Sequence, residues 1–154
     1  MRLSRQLTSK SIQIPLQSLT KEKALEEMVH LLAESHGLEN EQEILERVQA
    51  RERKMSTGIG YGVAVPHAKY DGIQDIKIAV GISKAGIPFE AIDDELVYII
   101  FIMISPTNTA GPHIQTLSAI SKLMSYEEMR SRLRTVKNAE EFLQALTEGE
   151  AKYL

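Results

Sequence analysis

The chain contains no cysteine, which removes disulfides, thiolate metal sites and thiol nucleophiles together. That absence fits a reducing compartment. No apolar run approaches the roughly 20 residues of a membrane-spanning helix; the longest, Leu96 to Ile104, has the length of a strand. The N-terminal Met-Arg-Leu-Ser-Arg-Gln carries no apolar signal region, so the expectation is a cytoplasmic protein that does not insert into a membrane. Positive charge is not in surplus either. The 18 lysines and arginines face 21 acidic residues, for a net charge of −3. This argues against nucleic acid as a partner, because phosphate-backbone binding needs a basic surface. There is no Gly-x-Ser-x-Gly nucleophile elbow and no Walker A lysine, and the Gly-x-Gly-x-Gly run at Gly58 precedes a strand instead of following one, as a dinucleotide fingerprint must. No cofactor is expected. Internal repeats and low-complexity segments are absent.

What is present fits one domain over residues 1–154. A chain of this length can bury roughly 70% of its unfolded surface and needs no covalent staples. Residues Ser11 to Leu16 alternate around Ile12, Ile14 and Leu16 and read as a strand, with Pro15 confining it to an edge. Thr20 opens a helix that carries Leu25, Met28, Val29 and Leu32 at helical spacing and closes at Gly37. Asn40 with Glu43 resembles a capping box for a second helix that runs to about Arg53. Gly62 to Val65 and Asp75 to Ser83 read as strands, and Gly86 with Pro88 predicts a break before a short extended piece. Leu96 to Ser105 is apolar at nearly every position, the mark of a strand covered on both faces. Pro112 suits the first turn of a helix. Ser125 with Glu128 and Asn138 with Glu141 predict two more helix starts, and the tail after Gly149 is expected to fray. The order is strand, two helices, three or four strands, three helices. It predicts an α/β (α+β) three-layer sandwich, with helices on both faces of a mixed sheet.

The chemistry concentrates in Ser56-Thr57-Gly58-Ile59-Gly60-Tyr61-Gly62-Val63-Ala64-Val65-Pro66-His67. Alternating glycines lead into a short apolar strand that ends in Pro-His, so the backbone before His67 is specialised and small residues leave clearance around it. His113 follows Gly111-Pro112 in the first turn of a helix, where free N–H groups and the dipole favour an anion; taken alone it also reads as a surface histidine. His30, among glutamates, reads as surface, and His36 as a charge at a helix C-terminus. Arg51, Arg53 and Lys54 form one basic cluster. Arg130, Arg132, Arg134 and Lys137 form another, a solvated helix face. Two histidines without a third ligand make a poor zinc set, and no metal is expected. Phosphoryl transfer fits better: a neutral imidazole is a nucleophile near pH 7, and a second imidazole and a guanidinium can hold phosphoryl oxygens. A docking module that works through the basic rim beside Met55, without phosphotransfer, is the competing reading.

Residues Arg51 to Ala68 resemble the active-site signature of enzyme IIA domains of the fructose/mannitol type, from the bacterial phosphoenolpyruvate-dependent phosphotransferase system. Pro106-Thr107-Asn108-Thr109-Ala110-Gly111-Pro112-His113-Ile114-Gln115-Thr116-Leu117-Ser118 resembles the second block of that family, and the likeness extends from about Leu3 to Leu146. The resemblance implies a mixed sheet flanked by helices. It implies that His67 is phosphorylated, that His113 helps to hold the phosphoryl group, and that Arg51 lies beside it. The implied donor is the small histidine-containing carrier protein or its nitrogen-branch counterpart, and the implied acceptor in sugar uptake is an enzyme IIB domain. IIB domains of this type use a cysteine, so the resemblance implies the expectation that none is fused here. A chain of this length resembles most the nitrogen-regulatory enzyme IIA, in which phosphorylation state controls other proteins; the alternative is a sugar-specific IIA subunit.

Overall fold

A computed structural model describes residues 2–154. Two 3-10 turns, Leu3–Gln6 and Ser9–Ser11, precede strand β1 (Ile12–Gln13). Helix α1 (Lys21–His36) starts where the Thr20 hydroxyl accepts the Lys23 amide at 3.3 Å and stops at Gly37, whose φ of 63° suits a residue without Cβ. Helix α2 (Glu41–Lys54) follows. Then come β2 (Gly58–Gly60), β3 (Val63–Ala64), β4 (His67–Lys69), β5 (Lys77–Ile87) and β6 (Val97–Ser105). Helices α3 (Gly111–Met124), α4 (Glu127–Thr135) and α5 (Ala139–Tyr153) complete the chain. Pro112 lies in the first turn of α3, and the Asn138 carboxamide oxygen caps α5 by accepting the Glu141 amide at 2.9 Å. No helix among the described residues is long and apolar enough to cross a membrane.

The six strands form one mixed sheet in the order β1-β5-β6-β3-β2, with β4 also paired to β6. β5 and β6 run antiparallel, whereas β3 and β4 lie parallel to β6 in succession along its length. Side chains alternate between faces along a strand, and β6 shows the consequence. Ile99, Phe101 and Met103 pack with Ile120, Leu123, Leu133, Phe142 and Leu146 of α3–α5. Ile100, Ile102 and Ile104 pack with Leu25, Met28, Leu32, Ile44 and Val48 of α1–α2. The three-layer arrangement expected from the doubly apolar run is the one observed. Each fully buried aliphatic or aromatic side chain in these layers is worth about 1.5–3 kcal/mol of apolar transfer.

Several local expectations are corrected. β1 is only two residues long, since Pro15 has no N–H to continue the ladder; Leu16 rejoins through its amide to the Ile82 carbonyl at 2.8 Å. Strand β5 does not end before Gly86. It runs through a register irregularity between Ile82 and Ile87, with Gly86 at φ 86°, the sign of a bulge. Asn40 and Ser125 do not cap. Asn40 adopts φ 60° and turns its amide to the Tyr70 hydroxyl, while the Ser125 hydroxyl donates back to the Lys122 carbonyl. Five strands, and not three or four, separate α2 from α3, because the segment around His67 folds into three short ones. The tail is ordered as the end of α5. Glu150 is fully buried, and its carboxylate accepts the Leu3 amide at 2.5 Å and the Ser4 amide at 3.2 Å. That contact across the chain ends was invisible to local pattern.

Glu150→Ala leaves the buried Leu3 amide without its acceptor, a loss on the order of 1–3 kcal/mol. The expected outcome is a lower urea midpoint, together with faster amide exchange at Leu3 and Ser4.

Candidate active site

The segment that places His67 is built by backbone constraints. A Cβ on Gly58 would stand 2.6 Å from the Ala91 Cβ and 2.8 Å from its Cα, so only glycine lets that chain approach. Gly60 and Gly62 have φ of 99° and 80° and bracket Tyr61, itself at φ 58°, in the turn between β2 and β3. The Tyr61 amide is fastened to the Asp93 carboxylate at 2.9 Å. The glycines therefore serve the turn and a close chain approach, which replaces the expected role of clearance above His67. After the hairpin, the Val65 amide donates to the Thr57 carbonyl at 2.9 Å, and the Met103 amide to the Pro66 carbonyl at 3.0 Å. His67 does not end a strand but begins β4, in register with Met103.

His67 and His113 are brought together. Their rings lie 5.5 Å apart between centroids, edge to face at 66°. His67 Nδ1 is 2.8 Å from the Val65 carbonyl oxygen. A carbonyl only accepts, so this nitrogen carries the proton, and in the neutral ring Nε2 keeps the lone pair. His113 Nδ1 is 2.5 Å from the hydroxyl of the fully buried Ser105 at the end of β6. Arg51, on the last turn of α2, donates to the Met55 carbonyl at 2.8 Å and lines the same depression as both histidines. That depression, about 390 Å³, is also lined by Arg47, Lys54 and Lys69. The basic cluster at the end of α2 divides: Arg51 and Lys54 border the histidines, while Arg53 borders a separate cleft with Lys21 and Glu52. On the other side of His67, an apolar groove of about 600 Å³ is lined by Met55, Ile59, Val65, Ile92 and Leu117.

The electrostatics favour neutral imidazoles. Burial holds His67 below the ordinary histidine value; the hydrogen bond to Val65 works against burial, Arg51 assists it, and Glu52 opposes it. His113 is lowered to about 4, first by burial and then by the nearby Lys69 and His67 charges. His30 and His36 lie outside the site: His30 pairs with Glu41 at 3.0 Å, and His36 Nε2 donates to the Ile78 carbonyl at 2.9 Å. Among the described residues no group of three or more His, Asp or Glu is arranged to hold a metal ion.

Two site residues went unread in the sequence. Lys69 stands two residues beyond His67 on β4, hence on the same face of the sheet, with its ammonium on the Thr109 carbonyl at 2.6 Å. Ser105 is paired in register with Lys69. The alternation His67-Ala68-Lys69 carried the signal for Lys69, once a strand begins at His67. No local signal marked Ser105, because its place depends on the parallel pairing of β4 with β6.

The model of the family described as "Phosphoenolpyruvate-dependent sugar phosphotransferase system, EIIA 2" matches residues 5–149. A nitrogen regulatory protein of Klebsiella oxytoca is 32% identical over 152 residues, which is 97% of this chain and 92% of that one. The fructose-specific EIIABC component of Bacillus subtilis (strain 168) is 34% identical over 133 residues, 86% of this chain. The chain spans only 21% of that longer protein. The crystal structure of the nitrogen regulatory protein IIA-Ntr from Neisseria meningitidis superposes with a TM-score of 0.87 at 31% identity, covering 94% of this chain and 98% of that one.

Both site imidazoles are harder to protonate folded than unfolded. Below about pH 6.5 the unfolded chain therefore binds more protons, and stability falls with acidification. The loss continues toward pH 4 for His113. Replacement by an uncharged side chain, His113→Gln, should flatten the fall in urea midpoint between about pH 7 and pH 5. An unchanged difference between the two pH values would remove His113 from the account.

Proposed function

Since the chain belongs to the phosphoenolpyruvate-dependent sugar phosphotransferase system EIIA 2 family, we propose that it is a phosphocarrier whose covalent site is Nε2 of His67. The observation that carries this reading is the hydrogen bond from His67 Nδ1 to the Val65 carbonyl. It holds the ring in the tautomer whose Nε2 is nucleophilic, and the lowered basicity of His67 keeps that nitrogen unprotonated at neutral pH.

The donor is a phosphohistidine on a small carrier protein. As the bond from phosphorus to His67 Nε2 forms, the donor's nitrogen–phosphorus bond breaks, and the donor imidazole keeps the electron pair. With the donor ring protonated on its other nitrogen, each ring retains its own N–H: the donor leaves as a neutral imidazole, the phosphorylated His67 ring takes up the positive charge, and no proton need leave the site. The transferring group spreads negative charge over its oxygens, and catalysis consists largely of positioning and charge stabilisation. Arg51, with Lys69 and Lys54 around the depression, supplies positive charge there. His113, with Nδ1 accepting from the Ser105 hydroxyl, presents Nε2–H as a donor to a phosphoryl oxygen. The groove of Met55, Ile59, Ile92 and Leu117 beside His67 suits the apolar part of the docking carrier protein.

We assign the chain to the nitrogen-regulatory branch, in the cytoplasm, with its phosphorylation state read by regulated target proteins. The near-complete mutual coverage with the Klebsiella oxytoca protein and the superposition on the Neisseria meningitidis structure support this. The 34% identity to the Bacillus subtilis fructose component supports a second reading, transfer to a IIB domain during sugar uptake.

Incubation with phosphoenolpyruvate, enzyme I and the carrier protein of either branch should give an acid-labile phosphorylated form, faster with the nitrogen-branch pair. His67→Ala should take no label; labelling to the wild-type extent would falsify the assignment. His113→Ala should still become labelled, but acceptance and return to the carrier should both slow on the order of 10²-fold, the loss typical of one positioned donor, because the two directions share one transition state. The rate of acceptance should stay flat from about pH 8 to pH 6.5 and fall only in more acid solution, as His67 becomes protonated below its ordinary value.

A further inference from the structure

Glu52 immediately follows Arg51 on α2, yet its environment is opposite. Its side chain is 4% exposed, and it is one of few charged groups in the interior. A buried carboxylate is costly unless donors surround it. Here one oxygen accepts the Thr57 hydroxyl at 2.5 Å, and the other accepts the Thr57 amide at 2.8 Å and the Lys21 ammonium at 3.0 Å. The Lys21 ammonium also stands 4.8 Å over the Phe89 ring. The carboxylate thus joins the first turn of α1, the last turns of α2 and the residue that opens the β2–β3 hairpin.

The connection continues. The carbonyl of Thr57, the residue clamped by Glu52, accepts the Val65 amide at 2.9 Å, and the Val65 carbonyl holds His67 Nδ1 at 2.8 Å. Four hydrogen-bonded links therefore run from Lys21 through Glu52, Thr57 and Val65 to the imidazole. Through-space charge acts in the same place: Glu52 opposes the effect of Arg51 on His67, while Lys69 on the same strand, Arg47 and Lys54 on α2 and His113 from α3 line the depression with that ring, and Glu90 lines the groove beside it.

We propose that Glu52 is a positioning residue for His67: with Lys21 as its counter-ion, it fixes Thr57, and through Thr57 and Val65 it sets the tautomer and the aim of the imidazole. Glu52 touches neither the donor nor the phosphoryl group. This rests on His67 being the covalent site, and the two claims separate experimentally.

The test uses the intact chain and its Glu52→Gln, Thr57→Val and Thr57→Ser variants, with folding checked by the amide NMR spectrum. Ring nitrogen-15 signals of His67 at about pH 8 report the tautomer. Acceptance from the phosphorylated carrier protein reports the rate. Wild type should show the proton on Nδ1. Glu52→Gln and Thr57→Val should show a mixture with the Nε2–H form, a His67 titration midpoint that moves down in Glu52→Gln, and acceptance slowed about ten-fold or more. Thr57→Ser, which keeps the hydroxyl, should behave as wild type. A wild-type ring protonated on Nε2 overturns the proposal without recourse to any variant. So do folded Thr57→Val or Glu52→Gln proteins with wild-type tautomer and rate. If Glu52→Gln does not fold, Thr57→Val, which keeps the buried ion pair, decides. A wild-type chain that takes no phosphoryl group, but whose variants still shift the tautomer, would refute the phosphocarrier reading and leave the positioning role standing.

Discussion

Strand β6 is the constraint from which the other layers follow. Its apolar side chains point to both faces, so the sheet must be covered twice, and the odd and even residues sort the helices into α3–α5 on one side and α1–α2 on the other. Its backbone pairs with β5 along one edge and with β3 and then β4 along the other. A continuous ladder would admit one strand on that second edge. The chain instead supplies two short pieces, separated by Val65 and Pro66. His67 is thereby delivered in register with Met103, and Lys69 with Ser105, on the face where α3 begins. The site is a product of parallel pairing at the end of a buried strand, close to where α3 presents His113.

The two imidazoles sit together for related reasons and do different work. His67 is tethered by an acceptor that forces its proton onto Nδ1, and His113 by a hydroxyl that can give as well as take. Both are kept neutral by burial, reinforced by cations nearby. A depression ringed by Arg51, Lys54, Lys69 and Arg47 is unfavourable to imidazolium and favourable to an incoming dianion. The field that depresses imidazole basicity is also the one that, in the proposed transfer, would stabilise the phosphoryl charge. Neutral nucleophile and cationic surroundings are therefore one electrostatic arrangement.

Legibility in the sequence varied with the range of the interaction. Thr20, Gly37, Asn138 and Pro112 were readable because a cap is settled within one turn of helix. Asn40 and Ser125 carried the same local signature and did not cap, since the Tyr70 hydroxyl and the end of α3 offered other partners. The glycines before His67 marked a special backbone, but their purpose differed from that expected: Gly58 admits Ala91, which is 33 positions away and absent from any local window. Glu52 looked like one more acidic residue in a charged helix. Only its burial against Lys21 and Thr57 sets it apart.

What the amino-acid sequence by itself determined is the layer order, the strand that must be doubly covered, and the identity of His67, His113 and Arg51 as the residues worth watching. Those follow from periodicity, from turn chemistry and from the family likeness of two short blocks. Tertiary structure alone decided that the C-terminal residues are ordered by Glu150, that Lys69 and Ser105 join the site, and which nitrogen of His67 is free. The physical reason is common to all three. Each depends on a hydrogen bond, a register or a shared cavity set by packing, and such pairings come into being only when the apolar faces of β6 are covered and distant segments are brought within about 3 Å of one another.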